Sequence, residues 1–225
     1  MTGTPLDLAL LLLWGTVVGL DLVSVPQGLL ARPLVAASIA GWLVGDPVAG
    51  MRVGALLELF ALDVLPVGAS RYPEYGPAAV GAALLAAHQP WSVGVGAGGS
   101  LGLVMAALGG WSLQRLRKAN ARLVQTNAAA LTTGMPATIR RLQWTGLRRD
   151  AFRAVVVTSA SLALALAGRN WLQVADVPGR LLTAALVGAG VAAALTGAWR
   201  SAGHGRRLRW LAAGVVVGAL AGLFL

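Results

Sequence analysis

The sequence predicts an all-α, polytopic integral membrane protein with about seven or eight hydrophobic segments. Three observations support this fold class: 57% of the residues are hydrophobic, only 12% are charged, and the mean hydropathy is +0.73. Soluble proteins carry roughly 25% charged residues. We therefore expect residues 1–225 to form a single membrane domain.

Apolar runs define the segments, at about 8–24, 33–45, 53–69, 76–90, 92–113, 151–168, 181–199 and 210–225. A spanning helix needs roughly 20 apolar residues, so the run at 33–45 is too short to cross alone. Gly45-Asp46-Pro47 breaks the chain after that run, because the residue before a proline is biased away from helix. This break and the prolines that follow predict re-entrant hairpins in the N-terminal half.

Basic residues in the C-terminal half predict the orientation of the loops. Segments 114–149 and 200–209 are rich in Lys and Arg, and such short loops stay on the cytoplasmic side. Segment 169–180 is then expected outside. The leucines within 114–149 favour a helix lying along the inner membrane surface or, alternatively, a docking face for a cytoplasmic partner. Because the basic residues are concentrated in these loops, we expect them to contact anionic lipid, and we expect no nucleic-acid partner.

The glycines at 94, 96, 98, 99 and 102 predict one face for close helix packing. Other residue types are scarce, and their scarcity excludes several kinds of chemistry. The chain has no cysteine and two histidines, which argues against thiolate chemistry and against a histidine metal cluster. Its only lysine, Lys118, lies outside any G-x-x-x-x-G-K-[ST] motif. We therefore expect no metal, no cofactor and no catalytic residue.

Ionisable side chains within the apolar runs are the candidate functional residues, because charge at membrane depth is kept when it handles a polar solute or pairs with another charge. Glu58 lies in the middle of GALLELFAL. It is expected to be neutralised by protonation, to pair with a cation such as Arg52 or Arg71, or to accept a hydrogen bond from a ligand hydroxyl. Arg71 and Glu74 supply a donor and an acceptor from one turn. The remaining charges of this region are candidates for structural ion pairs: Arg32, Asp46, Arg52 and Asp63.

The segment from Arg32 to Ala79 contains, in order, R-P-L, L-x-G-D, G-x-x-x-G, L-E, A-L and G-A-x-x-x-P. This region resembles the membrane subunit IIC of the mannose, fructose and sorbose family of the bacterial phosphotransferase system. Glu58 matches the glutamate of the L-E motif, and Ser70, Arg71 and Glu74 occupy the G-A-x-x-x-P-[DE] turn. The resemblance therefore assigns these four residues to substrate binding.

The resemblance also implies a location and partners. It implies a multi-pass protein of the bacterial inner membrane that forms a sugar pathway together with a second membrane subunit, IID, in an oligomer of IIC–IID units. The phosphoryl group would come from a histidine of the cytoplasmic subunit IIB, which is charged by IIA, so the chain itself is not expected to be an enzyme. The alternative is a membrane sensor or scaffold of the same system that does not transport.

Overall fold

The computed structural model describes residues 4–64, 71–132, 134–172, 179–198 and 204–222. Within these ranges the protein is all-α, as predicted, and contains no strand. The helices are α1 (Pro5–Asp21), α2 (Pro33–Leu43), α3 (Pro47–Ala61), α4 (Tyr75–Ala86), α5 (Trp91–Thr126), α6 (Ala128–Thr132), α7 (Pro136–Leu172), α8 (Gly179–Ala198) and α9 (His204–Gly222). Of the described helices, α5, α7 and α8 are long and apolar enough to cross a membrane.

Local sequence signals explain where several helices begin. Proline is the first residue of four helices, at Pro5, Pro33, Pro47 and Pro136. Proline suits this position because its fixed φ is helical and its missing N–H would have no partner there. Thr4 and Asp7 add a capping box to α1, in which each side chain accepts the other residue's backbone N–H at 3.1 Å.

Short helical hairpins occupy the region where re-entrant segments were predicted. The first hairpin consists of α2 and α3, and the second consists of α4 and the start of α5. With 11 and 12 residues, α2 and α4 are too short to span a hydrocarbon core of about 30 Å. The turns of the two hairpins meet, because Asp46 Oδ2 accepts from the His88 N–H at 2.8 Å and His88 Nε2 lies 3.0 Å from the Val44 carbonyl oxygen. Asp46 also caps α3 by accepting from the Ala49 N–H at 3.0 Å.

Helix α4 lies at the centre of the molecule. Every residue from 76 to 87 is buried, and α1, α2, α3, α5 and α7 all pack against this helix. A helix that is apolar on all sides can be covered in this way by its neighbours. The elements on either side of α4 are therefore fixed relative to one another.

Glycines bring α5 into direct contact with α4. A Cβ on Gly94 or Gly98 would lie 2.7 Å from a carbonyl oxygen of α4. The predicted glycine face is divided, however, because Gly96 contacts α8 and Gly99 contacts α3 and α8. A helix turns by about 100° per residue, so these glycines point in different directions and serve different neighbours.

Residues 114–149, which we call the basic hairpin, differ from the predicted surface helix. Helices α5 and α7 have 36 and 37 residues and continue without a break into this segment, where the short α6 joins them. Arg149 Nη1 lies 3.4 Å from Asn120 Oδ1, and Arg141 Nη2 lies 3.1 Å from Asn127 Oδ1, so the two helix ends run antiparallel. Hydropathy shows where a segment prefers lipid and does not show where its helix ends. The Ala, Leu, Arg and Gln residues of this segment favour helix both inside and outside the membrane.

Candidate functional site

Arg32 and Glu58 form an ion pair where α2 begins. The Arg32 guanidinium donates to Glu58 Oε1, and the Leu34 backbone N–H donates to Oε2 at 3.2 Å. Both side chains remain accessible, with 38% of Arg32 and 18% of Glu58 exposed. Glu58 therefore has a cationic partner, which was one of the three predicted alternatives. That partner is Arg32, whereas the sequence analysis had suggested Arg52 or Arg71.

A second charged group is buried between α7 and the turn before α4. Glu74 is 0% exposed, and Arg153 Nη2 donates to its Oε1 at 2.7 Å while Nη1 donates to Oε2. Arg153 Nε donates to Asp150 Oδ1 at 2.9 Å, and the Ser24 hydroxyl donates to the other Asp150 oxygen. Arg153 also donates to the Gly19 carbonyl oxygen at 3.3 Å. This buried network ties α1 and the loop after it to α4 and α7.

Tyr72 precedes the buried network and is held by α5. Tyr72 is 7% exposed. Arg117 donates a hydrogen bond to the Tyr72 hydroxyl, and the guanidinium carbon of Arg117 lies 4.6 Å from the centroid of the Tyr72 ring. The backbone is held as well, because the Glu74 N–H donates to the Ala106 carbonyl oxygen at 2.8 Å. A Cβ on Gly110 would lie 2.1 Å from the Tyr72 carbonyl oxygen, so this close approach requires glycine.

Asp21 shapes the loop that leads from α1 to Arg32. The residue is 3% exposed and its carboxylate accepts from the backbone N–H groups of Gly28 at 2.6 Å and Ala31 at 2.9 Å. Buried backbone donors outside regular structure need such partners. The loop is therefore folded back over the end of α1, and Arg32 emerges beside it.

A cavity of about 340 Å³, which we call the Arg32 chamber, lies at this junction. Its polar lining residues are Asp21, Gln27, Arg32, Tyr72 and Tyr75. The volume lies at the lower end of the roughly 300–1,000 Å³ that is usual for small-molecule sites. Guanidinium and amide donors together with hydroxyl and carboxylate acceptors suit a small neutral solute that carries several hydroxyl groups.

A second cavity of about 990 Å³, which we call the hairpin vestibule, adjoins the first and reaches the basic hairpin. Its polar lining includes Ser24, Arg117, Asn120, Gln143 and Asp150. Leu22, Gln27 and Tyr72 line both cavities. The two spaces therefore share a wall.

The structure separates the four predicted substrate-binding residues. Glu58 supports the chamber through Arg32 and is not among the residues that line it. Glu74 is enclosed in the buried network. Arg71 is exposed, and Ser70 lies outside the described residues. The residue that the structure brings to the chamber wall is Arg32, which the sequence had indicated only as an ion-pair partner.

The other residues expected in ion pairs have different surroundings. Asp46 joins the two hairpin turns, whereas Arg52 is exposed and Asp63 is half-buried just after α3. Burial alone would raise the pKa of Asp46, but backbone hydrogen bonds from His88 and Ala49 and the proximity of His88 and Arg52 outweigh it. The pKa of Asp46 is therefore lowered from its ordinary value.

Sequence reasoning missed five residues of the site: Asp21, Tyr72, Arg117, Asp150 and Arg153. A signal existed for one pair, because Asp150 and Arg153 are three residues apart at the start of an apolar run, and residues at that spacing meet on one helix face. The contact between Tyr72 and Arg117 has no such signal, since 45 residues separate the partners.

Three long apolar helices with buried charge pairs and polar cavities beside them are typical of a multi-pass membrane protein. Residues 5–198 match the family described as the PTS system sorbose-specific IIC component, and the chain belongs to that family. It is accordingly a multi-pass protein of the bacterial inner membrane.

Curated relatives carry the same kind of description. The chain is 36% identical over 74 residues to the sorbose-specific EIIC component of Lacticaseibacillus casei, covering 33% of the chain and 26% of the relative. It is 35% identical over 80 residues to the mannose-specific EIIC component of Escherichia coli K12, covering 35% and 29%. It is 32% identical over 106 residues to the fructose permease IIC component of Bacillus subtilis, covering 47% and 38%. The chain thus spans well under half the length of these relatives.

Solved structures share the fold along nearly the whole chain. A structure of the mannose transporter ManYZ in complex with microcin E492 matches with a TM-score of 0.62 at 22% identity, covering 100% of this chain and 96% of that one. A second structure, described as a membrane protein, also has a TM-score of 0.62, at 23% identity and with 99% and 96% covered. At this identity the likeness concerns the fold alone.

Proposed function

We propose that the chain is the sugar-translocating IIC subunit of a phosphoenolpyruvate-dependent sugar phosphotransferase system. It forms the substrate pathway with a IID subunit, in an oligomer of IIC–IID units, while IIB, charged by IIA, phosphorylates the sugar. The observation that carries the proposal is the Arg32 chamber, a polar cavity of about 340 Å³ bounded partly by the segment with the family's motifs. The chain supplies binding groups and no phosphoryl-transfer residue.

In this proposal, Arg32 donates to sugar hydroxyls and Glu58 orients Arg32. Glu58 does not line the chamber and acts on the sugar through Arg32. The tyrosine rings of the chamber offer flat apolar surface for the C–H face of the sugar, and Gln27 offers both a donor and an acceptor. Such a site reads hydroxyl positions, which is how closely related sugars are distinguished.

Glu58→Gln tests the site. The variant keeps an acceptor but loses the charge-assisted hydrogen bond, a loss of roughly 1.5–3 kcal/mol, so sugar affinity should fall about tenfold to a hundredfold. Assembly should survive, because glutamine keeps the shape of the side chain and Arg32 remains beside the polar groups of the chamber. Arg52→Gln, an exposed arginine on the same helix, is the matched control.

The measurement is calorimetric binding of a panel of ketoses, aldoses, amino sugars and hexitols to the purified complex of the chain with IID. A complex that assembles normally and binds no sugar would contradict the transport proposal. Equal sugar affinities of Glu58→Gln and Arg52→Gln would show that the Arg32–Glu58 pair does not contribute to the binding site. That result would not contradict the transport proposal.

A further inference from the structure

Tyr72 occupies a distinctive position between the two cavities. Three residues line both the Arg32 chamber and the hairpin vestibule, and they come from two parts of the chain. Leu22 and Gln27 belong to the loop that Asp21 holds through Gly28. Tyr72 belongs to the turn before α4 and has the largest of the three side chains. A solute that moves from one cavity to the other passes this set.

The ring of Tyr72 is held in place by contacts that a solute can replace. Arg117 donates to its hydroxyl and covers its face, with the guanidinium carbon 4.6 Å from the ring centroid. Both contacts are electrostatic and directional. A sugar hydroxyl offers Arg117 an equivalent acceptor, and a sugar offers the ring an apolar face. The contacts that hold the Tyr72 ring in its closed position can therefore be replaced by contacts with the solute.

The backbone beneath the ring is fixed more firmly than the ring itself. The Glu74 N–H donates to Ala106, and the Tyr72 carbonyl oxygen lies against Gly110. Glu74 is in turn locked by Arg153. Side-chain rotation, rather than displacement of the turn, is the motion that this arrangement leaves open to Tyr72.

Arg117 also connects the ring to a distant surface. It lies in the part of α5 that belongs to the basic hairpin, beyond the contacts that fix the Tyr72 backbone. A displacement of the hairpin relative to the helix bundle therefore moves Arg117 more than it moves the turn at Tyr72. A movement of the basic hairpin can therefore break the contact between Arg117 and Tyr72 and release the ring.

We propose that Tyr72, held by Arg117, is the constriction that controls passage of the solute between the Arg32 chamber and the hairpin vestibule. The inference rests on the proposed function for the identity of the solute, but the barrier is a property of the cavities and can be measured without a sugar. Tyr72 is thus a permeation-determining residue, and Arg117 is the residue that positions it.

The cysteine-free chain allows a direct test with single-cysteine reporters. Val64→Cys places a thiol in the Arg32 chamber, and Asn120→Cys places one in the hairpin vestibule. Each reporter is introduced into the full chain and assembled with IID in sealed membrane vesicles whose outer face carries the basic hairpin, so that the reagent arrives from the side of the hairpin vestibule. Rates of reaction are then measured with a small and a bulky water-soluble methanethiosulfonate reagent.

The backgrounds are the parent chain, Tyr72→Ala, Tyr72→Phe and Arg117→Gln, with Arg122→Gln as the matched control on an exposed position of α5. The chamber thiol should react with the bulky reagent about tenfold faster in Tyr72→Phe and Arg117→Gln, as expected when one charge-assisted hydrogen bond no longer holds the closed position. Tyr72→Ala should react faster still. Arg122→Gln should match the parent. The vestibule thiol should react equally fast in the parent, Tyr72→Phe and Arg122→Gln backgrounds.

Equal rates for the chamber thiol in every background would overturn the proposal. If Tyr72→Ala does not accumulate, Tyr72→Phe decides the matter, because it keeps the ring and removes only the hydroxyl contact. Sugar binding without any change in labelling would leave the proposed function standing and reject the constriction. Changed labelling in a complex that binds no sugar would support the constriction and contradict the proposed function.

Discussion

Glu58 and Glu74 both pair with an arginine, but the two pairs differ in their access to water. Glu58 is 18% exposed and its partner Arg32 is 38% exposed, whereas Glu74 is 0% exposed and Arg153 is 8% exposed. Loss of Glu58 leaves Arg32 at the wall of a polar cavity, where other polar groups lie beside it. Loss of one partner from a buried pair leaves a charge without compensation. The two glutamates should therefore respond differently to substitution.

Arg153→Met tests the buried network. The substitution removes the cation between Glu74 and Asp150, at an expected cost of about 3–5 kcal/mol, which is a large share of the roughly 5–15 kcal/mol that stabilises a typical protein. The yield of monodisperse protein and its thermal midpoint in detergent should both fall sharply. Arg148→Gln, exposed on the same helix, should leave both unchanged. Similar midpoints for the two variants would show that the network does not hold the fold together.

Sequence reasoning located the charged region but not the pairing within it. It picked out Glu58 and Arg32 as charged residues of one segment, because charge within an apolar run is conspicuous. It did not pair them, since pairing depends on how α2 and α3 fold back on each other. It also gave Glu74 a substrate role, because exposure cannot be read from a turn that carries both an arginine and a glutamate.

At the scale of the elements, the joined turns of the two hairpins are the most specific feature. Asp46 accepts from its own helix at Ala49 and from the other hairpin at His88. One carboxylate therefore performs two tasks, starting α3 and holding the hairpin ends together. The N-cap of α3 follows from the Asp-Pro sequence, whereas the bond to His88 depends on packing.

Asp46→Asn should reveal the contribution of the charge through its pH dependence. The pKa of Asp46 is lowered in the folded protein, so its charge stabilises the fold above the unfolded pKa of about 3.9. That contribution is lost as the pH falls through the folded pKa. The thermal midpoint of the parent should exceed that of Asp46→Asn near pH 7, and the difference should shrink as the pH falls below the unfolded pKa of about 3.9.

Asp46→Ala provides the comparison for this experiment. It removes the cap as well as the charge and should cost about 1 kcal/mol. Part of that cost should persist at low pH, where a protonated aspartate still accepts a backbone hydrogen bond. A constant difference between the parent and Asp46→Asn across the pH range would contradict the assigned pKa shift.

The elements themselves were largely predictable from hydropathy and proline. Each apolar run corresponds to a helix, and Pro33, Pro47 and Pro136 stand at helix starts. The extensions of α5 and α7 into the basic hairpin were not predicted, because the boundary of an apolar run marks where lipid ends and not where the helix ends.

For the whole molecule, charge is distributed unevenly along the membrane axis that the sequence predicts. The basic hairpin holds exposed arginines, among them Arg115, Arg122, Arg140 and Arg148. The Arg115 guanidinium carbon lies 3.8 Å from the ring centroid of Trp111, an arrangement suited to a membrane interface. The charge rule therefore predicts that the hairpin vestibule faces the cytoplasm.

A single cysteine at Asn127, at the turn of the basic hairpin, tests this orientation. An impermeant thiol reagent should leave it unlabelled in intact cells and should label it after the membrane is permeabilised. Labelling in intact cells would show that the topology is the reverse of the predicted one and that the hairpin vestibule faces outside. The experiment is clean because the chain contains no other cysteine.

The close approach of the turn at Tyr72 and Glu74 to α5 has a consequence for recognising relatives. A Cβ on Gly109 would lie 2.9 Å from Glu74 Oε2, and one on Gly110 would lie 2.1 Å from the Tyr72 carbonyl oxygen. A homologue with alanine at the second position must carry its turn farther from the helix, and its cavity must have a different outline. We therefore expect chains that share the geometry of this chamber to carry glycine at both positions, whatever their overall sequence identity.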